Sequence, residues 1–294
     1  NEVKKRLTAS RNLKGALSGL PKNARRFFEV ESSFSPDVVV SDFETWSWMF
    51  GKLNNVPVIC LDNIQLINRC DHDDDIIAGD REDFRMAKSV VKARAPGAAH
   101  YLITTFARPP VRKKRTTLVP PVLRDSILRA EPTDGEHLLV YQTSESFEEL
   151  PDILRELDEL VYVYGLRREV EETERDGNLV WRPFSETQFV EDLASCRGVL
   201  ASAGFTLVTE ALHLGKPYLA TPVGSQFEQV MNARYLEKLG YGTYYEDLDA
   251  AAIEHFLDNI PKYSAALDGY DRHDNSMTFE RLDELFDRRR ADLL

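Results

Sequence analysis

The stretch from Gly198 to Gly242, GVLASAGFTLVTEALHLGKPYLATPVGSQFEQVMNARYLEKLGYG, holds the residues whose types and order most constrain chemistry. An apolar strand ends in Ser202-Ala203-Gly204. A helix starts at once, with Phe205 and Thr206 in its first turn and Glu210 one turn further on. Small residues let a ligand approach the backbone, and open N–H groups at a helix start attract a diphosphate. Glu210, expected at a cleft mouth among few neighbours, is placed to accept hydrogen bonds from a ribose. Gly215-Lys216-Pro217 ends the helix, and the next strand delivers Gln226, Glu228 and Gln229 to the mouth of the sheet. Amide and carboxylate groups there suit sugar hydroxyls, which both donate and accept. Taken alone, Gly204 to Glu210 reads equally as an ordinary strand-to-helix turn. The downstream cluster tips the reading toward a ligand site.

Other chemistry-bearing residues are more ambiguous. Asp42, Glu44 and Asp62 follow strand ends, where open α/β sheets place ligands, so each is a candidate general base; helix capping is the alternative for each. The run Asp71-His72-Asp73-Asp74-Asp75 could hold a hard cation, but consecutive carboxylates point in different directions and a solvated loop is preferred. No metal site is expected. Arg112-Lys113-Lys114-Arg115 reads as a solvated turn, with peripheral membrane contact or an anionic acceptor left open. Cys60, Cys70 and Cys196 are odd in number and widely spaced, which argues against a disulfide framework or zinc and fits a reducing cytoplasm. Acidic residues outnumber basic ones by 49 to 37, so a nucleic-acid backbone is a poor partner. No apolar run approaches the ~20 residues that span a bilayer.

These residues need a scaffold, and the chain reads as α/β with two lobes. Strands are expected at 37–42, 56–63, 100–105 and 116–119, with a crossover helix over 43–53, in a first lobe of residues 1–125. A polar linker is expected over 126–136. A second lobe, 137–275, alternates strands at 137–142, 160–165, 178–181, 198–203 and 217–221 with helices at 148–157, 187–196, 207–214 and 228–239. A charged helix closes the chain within 276–294. Alternation of this kind means parallel sheets covered on both faces. Helices precede the first convincing strand, so the first lobe reads as incomplete at its start.

From about Phe184 to Gly242 the chain resembles the donor-binding half of MurG-like glycosyltransferases and their UDP-glycosyltransferase relatives, as in the C-terminal domain of glycosyltransferase family 28. The matching residues run in order: S-x-G at Ser202–Gly204, T-x-x-x-E-A at Thr206–Ala211, G-x-P at Gly215–Pro217, the acidic and amide cluster, Asn232-Ala233, and Gly240-x-Gly242. The resemblance implies the GT-B fold of two Rossmann-like lobes. It also implies transfer of a sugar from a UDP- or TDP-type donor to a hydroxyl, with inversion and without metal. It further implies diphosphate binding by Gly204, Phe205 and Thr206, ribose binding by Glu210, and sugar binding by Gln226, Glu228 and Gln229. Phe184 and Ser185 would flank the base, and Thr143 and Ser144 would complete the phosphate cradle. The loop Tyr141–Glu145 is poorer in glycine than the family pattern, and the family's N-terminal Gly-rich loop with its His has no counterpart here. The nucleotide sugar is a substrate, so no cofactor is expected. The acceptor is left open between lipid-linked and glycan hydroxyls, and a cytoplasmic protein with or without membrane association is expected. A sugar-nucleotide epimerase and a non-catalytic nucleotide-sugar-binding subunit remain the alternatives.

Overall fold

The computed structural model describes residues 34–143, 149–167, 169–222 and 226–291. Two separate sheets organise it. The first holds β1 (Val39–Ser41), β2 (Val58–Asp62), β3 (His100–Thr104) and β4 (Thr116–Val119), parallel throughout in the order β1-β2-β3-β4. These are the β-branched runs expected from sequence, and β2 and β3 are buried on both faces, as a doubly covered parallel sheet requires. Around them lie α1 (Thr45–Leu53), α2 (Leu66–Arg69), α3 (Asp74–Ile77) and α4 (Arg81–Arg94).

After α5 (Asp125–Leu128) the second sheet is built from β5 (Leu138–Tyr141), β6 (Val161–Tyr164), β7 (Glu174–Asp176), β8 (Leu179–Trp181), β9 (Gly198–Ala201), β10 (Tyr218–Ala220) and β11 (Gly242–Tyr244). Its order is β11-β10-β9-β5-β6-β8-β7, parallel except for β7, a fully exposed charged edge strand that blunts further pairing. The covering helices are α6 (Leu150–Arg155), α7 (Glu186–Ser195), α8 (Phe205–His213), α9 (Phe227–Lys238), α10 (Ala250–Leu267) and α11 (Ser276–Arg290). Among the described residues no helix is long and apolar enough to cross a membrane.

Contacts at several places join the lobes. The stretch expected as a polar linker, 126–136, is exposed over 131–134 and docked only at its start, where Ile127 is buried in the second lobe's core. Just before it Leu123 is buried in the same core, and the Asn275 side chain brackets the Leu123 backbone from both sides at 2.9 and 2.7 Å. Helix α9 presents Phe227, Met231 and Tyr235 to Leu66, Ile67, Ile76 and Val91 of the first lobe. Helix α11 returns to the first sheet, with Leu285 against Ile59, Leu102 and Val119. The acidic run of 71–75 belongs to this junction. Lys238 on α9 binds Asp73 at 2.5 Å and Asp75 at 2.9 Å, and no metal-holding group of side chains occurs among the described residues. Of the basic run, Arg112 donates to the Asn68 carbonyl and Lys113 to the Asn68 amide oxygen, so both are tied down against α2.

Candidate functional site

The turn after β9 is held from below. Tyr218 donates its hydroxyl to the Ser202 carbonyl at 2.6 Å, and the buried Asn232 amide donates to the Ala203 carbonyl at 3.1 Å. These bonds satisfy the carbonyls of the turn and leave its other face to solvent. Gly204 then caps α8 without any side-chain bond to the helix, so the Phe205 and Thr206 N–H groups have neither an intrahelical acceptor nor a capping side chain. At Gly204 φ is −63° and ψ 132°, a conformation open to any residue, and a Cβ built there meets nothing within 4 Å. The fold therefore does not demand glycine at this point. Gly165, beyond β6, is different: its φ is +87°, and a Cβ would lie 2.7 Å from the Gln142 carbonyl oxygen, so the close approach of the β5 and β6 ends requires it.

A cavity of about 620 Å³ opens at this carboxyl edge. Gly204, Phe205, Thr206, Glu210, Phe184 and Ser185, expected from sequence to share a site, all line it. Ser185 also caps α7 by accepting from the Gln188 N–H. Phe184 is 82% exposed, an aromatic face left in solvent at the rim. Phe205 instead turns its ring toward the first lobe and stacks on Phe106 at 6.3 Å between centroids. Thr143, two residues past β5, is exposed and does not line the cavity, where Tyr141 at the end of that strand does; Ser144 lies outside the described residues.

Sequence reasoning missed several lining residues, chiefly Arg124, Tyr141, Tyr164, Glu186 and Phe189. Tyr164 is anchored by its hydroxyl on Asp192 at 2.7 Å, and Arg182 and Gln188 hold the same carboxylate. The aromatic residues carried only a strand- and helix-core signal, and Arg124 carried none. Arg124 nevertheless dominates the polar wall. Its Nε and Nη2 donate to the two oxygens of Glu210 at 2.8 and 2.9 Å, and its Nη1 donates to Glu186 at 3.1 Å. Glu210 is thus not the sparsely packed mouth residue expected from sequence. Its side chain is 3% exposed, and burial pushes its carboxyl up from the ordinary range while Arg124 pulls it back down. Burial disfavours the guanidinium charge as well, but Glu210 and Glu186 more than restore it and hold Arg124 above its ordinary value. The two parallel bonds to Glu210 are those of an ionised pair.

The remaining expected residues gather separately, where the lobes face each other. Gln226 precedes α9 and accepts from Gln229 at 2.8 Å, and Glu228 sits in the helix's first turn. Burial and the nearby charge of Asp42 push the Glu228 carboxyl up. Asp62, at the end of β2, accepts from the Gln65 N–H through Oδ1, while its buried Oδ2 has no partner among the described residues. Burial pushes Asp62 up to about 7, helped by Asp42 and Glu228 and opposed by the Gln65 bond. Asp42 is exposed at the end of β1. Glu44 caps α1, accepting the Ser47 N–H at 2.7 Å, the structural role open to it from the start.

The comparisons with known proteins agree with this architecture. No curated protein matches the sequence. Among solved structures, the kitacinnamycin glycotransferase is similar at a TM-score of 0.64 and 15% identity, with 94% of this chain and 81% of that one covered. The spinosyn forosaminyltransferase SpnP gives 0.60 and 15%, covering 88% and 78%. The spinosyn rhamnosyltransferase SpnG complexed with thymidine diphosphate gives 0.54 and 18%, covering 88% and 74%. All three are sugar transferases, and neither the epimerase nor the non-catalytic reading gains support from them. The family model of glycosyl transferase family 1 matches residues 1–261, and with that match across both lobes the chain belongs to this family of GT-B glycosyltransferases.

Proposed function

We propose that the cavity binds a nucleoside diphosphate sugar of UDP or TDP type, and that the chain passes the sugar to a hydroxyl acceptor with inversion and without a metal ion. The observation that carries this reading is Gly204. A glycine that the backbone does not need stands in open space beside two uncapped helix N–H groups, and a ligand phosphate accounts for both features. Phe184 offers a face for the base, and the polar cluster of Arg124, Glu186 and Glu210 lies between that face and α8, where a ribose belongs. The structure of SpnG with thymidine diphosphate gives a ligand of the same class in a protein of the same fold.

The sugar then lies toward Gln226, Glu228 and Gln229. The acceptor oxygen attacks the anomeric carbon from the face opposite the diphosphate, the bond to the phosphate oxygen breaks, and the acceptor proton passes to a carboxylate of the first lobe. Asp42 fits that role best, being exposed where Asp62 is buried and Glu44 is spent on a helix cap. General-base assistance of this kind is worth roughly 10²–10⁴ in rate, and the uncapped N–H groups of α8 stabilise the leaving diphosphate. The acceptor class, lipid-linked or glycan, is set by the first lobe.

Thermal unfolding with UDP, thymidine diphosphate and GDP tests the reading. At ligand about 100-fold above its Kd, stabilisation of ~2.7 kcal/mol is expected for the cognate nucleotide. Gly204→Val keeps the melting temperature of the free protein and removes the ligand shift. If none of the three nucleotides shifts the wild type at millimolar concentration, the proposal fails.

A further inference from the structure

The resemblance assigns the ribose to Glu210, but the structure gives that carboxylate to another group. Both Glu210 oxygens are engaged by Arg124, side by side at 2.8 and 2.9 Å, and the side chain is 3% exposed. Displacing the guanidinium would leave the Glu210 carboxylate buried without compensation, and neutral hydroxyls cannot repay that loss. The backbone gives Arg124 little room to leave. It precedes α5, whose Ile127 is fully buried, and it follows Leu123, which the Asn275 side chain grips on both sides.

The arrangement has a free side. Of the five N–H donors of a guanidinium, three are used by Glu210 and Glu186, and the other two have no acceptor among the described residues. Glu186 has a side chain 69% exposed, holds Arg124 through one oxygen, and has no partner for the second among the described residues. It is the first residue of α7, two positions after Phe184, while Glu210 is one turn beyond Thr206 on α8. Arg124 therefore bridges the aromatic face and the uncapped helix start, in the order base, ribose, diphosphate that a nucleotide imposes. The three charges sum to −1, which disfavours phosphate at this spot but suits the sugar hydroxyls of a nucleoside, two on a ribose and one on the deoxyribose of thymidine, which both donate and accept.

We propose that Arg124 and Glu186 together hold the ribose hydroxyls of the donor, and that Glu210 is the positioning residue that fixes the guanidinium. The proposal rests on the reading of the cavity as a nucleoside diphosphate site. Calorimetric titration of UDP and thymidine diphosphate into wild type, Glu186→Gln, Arg124→Met, Glu210→Gln and the Arg124→Met/Glu210→Gln double variant tests it, with inorganic pyrophosphate as the probe that lacks a ribose. Glu186→Gln, on an exposed side chain that does not endanger folding, is expected to weaken the nucleotide roughly 10- to 100-fold, the range of a charge-assisted hydrogen bond, and to leave pyrophosphate unchanged. Arg124→Met is expected to weaken it as well, and adding Glu210→Gln to that variant changes nothing further. Unaltered nucleotide affinity in Glu186→Gln overturns the proposal, as does a parallel loss of pyrophosphate. Tighter binding by Arg124→Met also overturns it, since the guanidinium would then be an obstacle in front of Glu210. If wild type binds neither nucleotide, the donor-site reading falls and this proposal with it; if wild type binds and Glu186→Gln binds equally, only the proposal falls.

Discussion

The Arg124–Glu210 pair predicts an asymmetry in stability that can be worked from exposure alone. Removing one member of a wholly buried ion pair costs roughly 3–5 kcal/mol. Here the two ends differ: the Glu210 side chain is 3% exposed and that of Arg124 is 35% exposed. In Glu210→Gln the guanidinium keeps Glu186 and partial solvation, and the new amide oxygen still accepts one N–H, so the discounted loss is ~1–2 kcal/mol. In Arg124→Met the carboxylate stays buried without a cation, and the loss is ~2–4 kcal/mol. The second loss should also depend on pH. Without Arg124 nothing opposes the burial that already pushes Glu210 up. The folded state then holds its proton to higher pH than the unfolded state does. Stability of Arg124→Met is therefore greatest below the ordinary carboxyl value of ~4.3 and falls as pH rises from there toward the raised value. The double variant Arg124→Met/Glu210→Met recovers much of the loss, because apolar replacement of a buried pair is often neutral. Urea unfolding at a series of pH values from about 3.5 to 8 reads all of this. A loss in Glu210→Gln equal to or larger than that in Arg124→Met, or a pH-independent loss in Arg124→Met, refutes the reasoning.

Further outcomes are expected. Asp62 is held up to about 7 by burial, so the folded protein keeps this proton while the unfolded chain loses it, and stability falls by up to ~1.4 kcal/mol per pH unit between pH ~4 and about 7. Asp62→Asn retains the acceptor for the Gln65 N–H and flattens that slope, which urea midpoints across the range will show; an unchanged slope contradicts the assignment. Phe184→Ala, at an 82% exposed ring, should leave the melting temperature alone and weaken nucleotide binding roughly 5- to 150-fold, the worth of one base stacked on an aromatic ring. Equal affinity for the nucleotide in calorimetry would remove Phe184 from the site. Donor binding should survive EDTA, because N–H groups meet the phosphates and the acidic residues Asp73 and Asp75 are engaged by Lys238; an absolute requirement for a divalent ion would contradict this.

The expected strands of both lobes are present in the structure, and so is the turn that leads from β9 into α8. Their signals are local: β-branched apolar runs for β2, β3, β5 and β9, and small residues followed by a helical pattern at Ser202 to Glu210. The same locality explains what escaped. Helix α4 has a polar, charged surface with a single buried side chain, Val91, and α10 runs through an internal Pro261. Strand β11 has three residues, and β7 is charged throughout. Strands β7 and β11 and helix α4 carry no period long or apolar enough to be read alone, whereas α10 repeats Ile253, Phe256, Ile260, Tyr263 and Leu267 at helical spacing and is masked by its internal Pro261.

By itself the sequence determined a two-lobed α/β chain and a turn of small residues opening a helix, because backbone preference and side-chain period act over a few residues. Only the tertiary structure decided which charges meet. Arg124 reaches Glu210 across 86 positions and Lys238 reaches Asp73 across 165. The same acidic residue is a solvated binding group or a buried ion-pair partner according to what the fold brings against it. Coulomb interaction and burial depend on distance in space, to which spacing along the chain is blind.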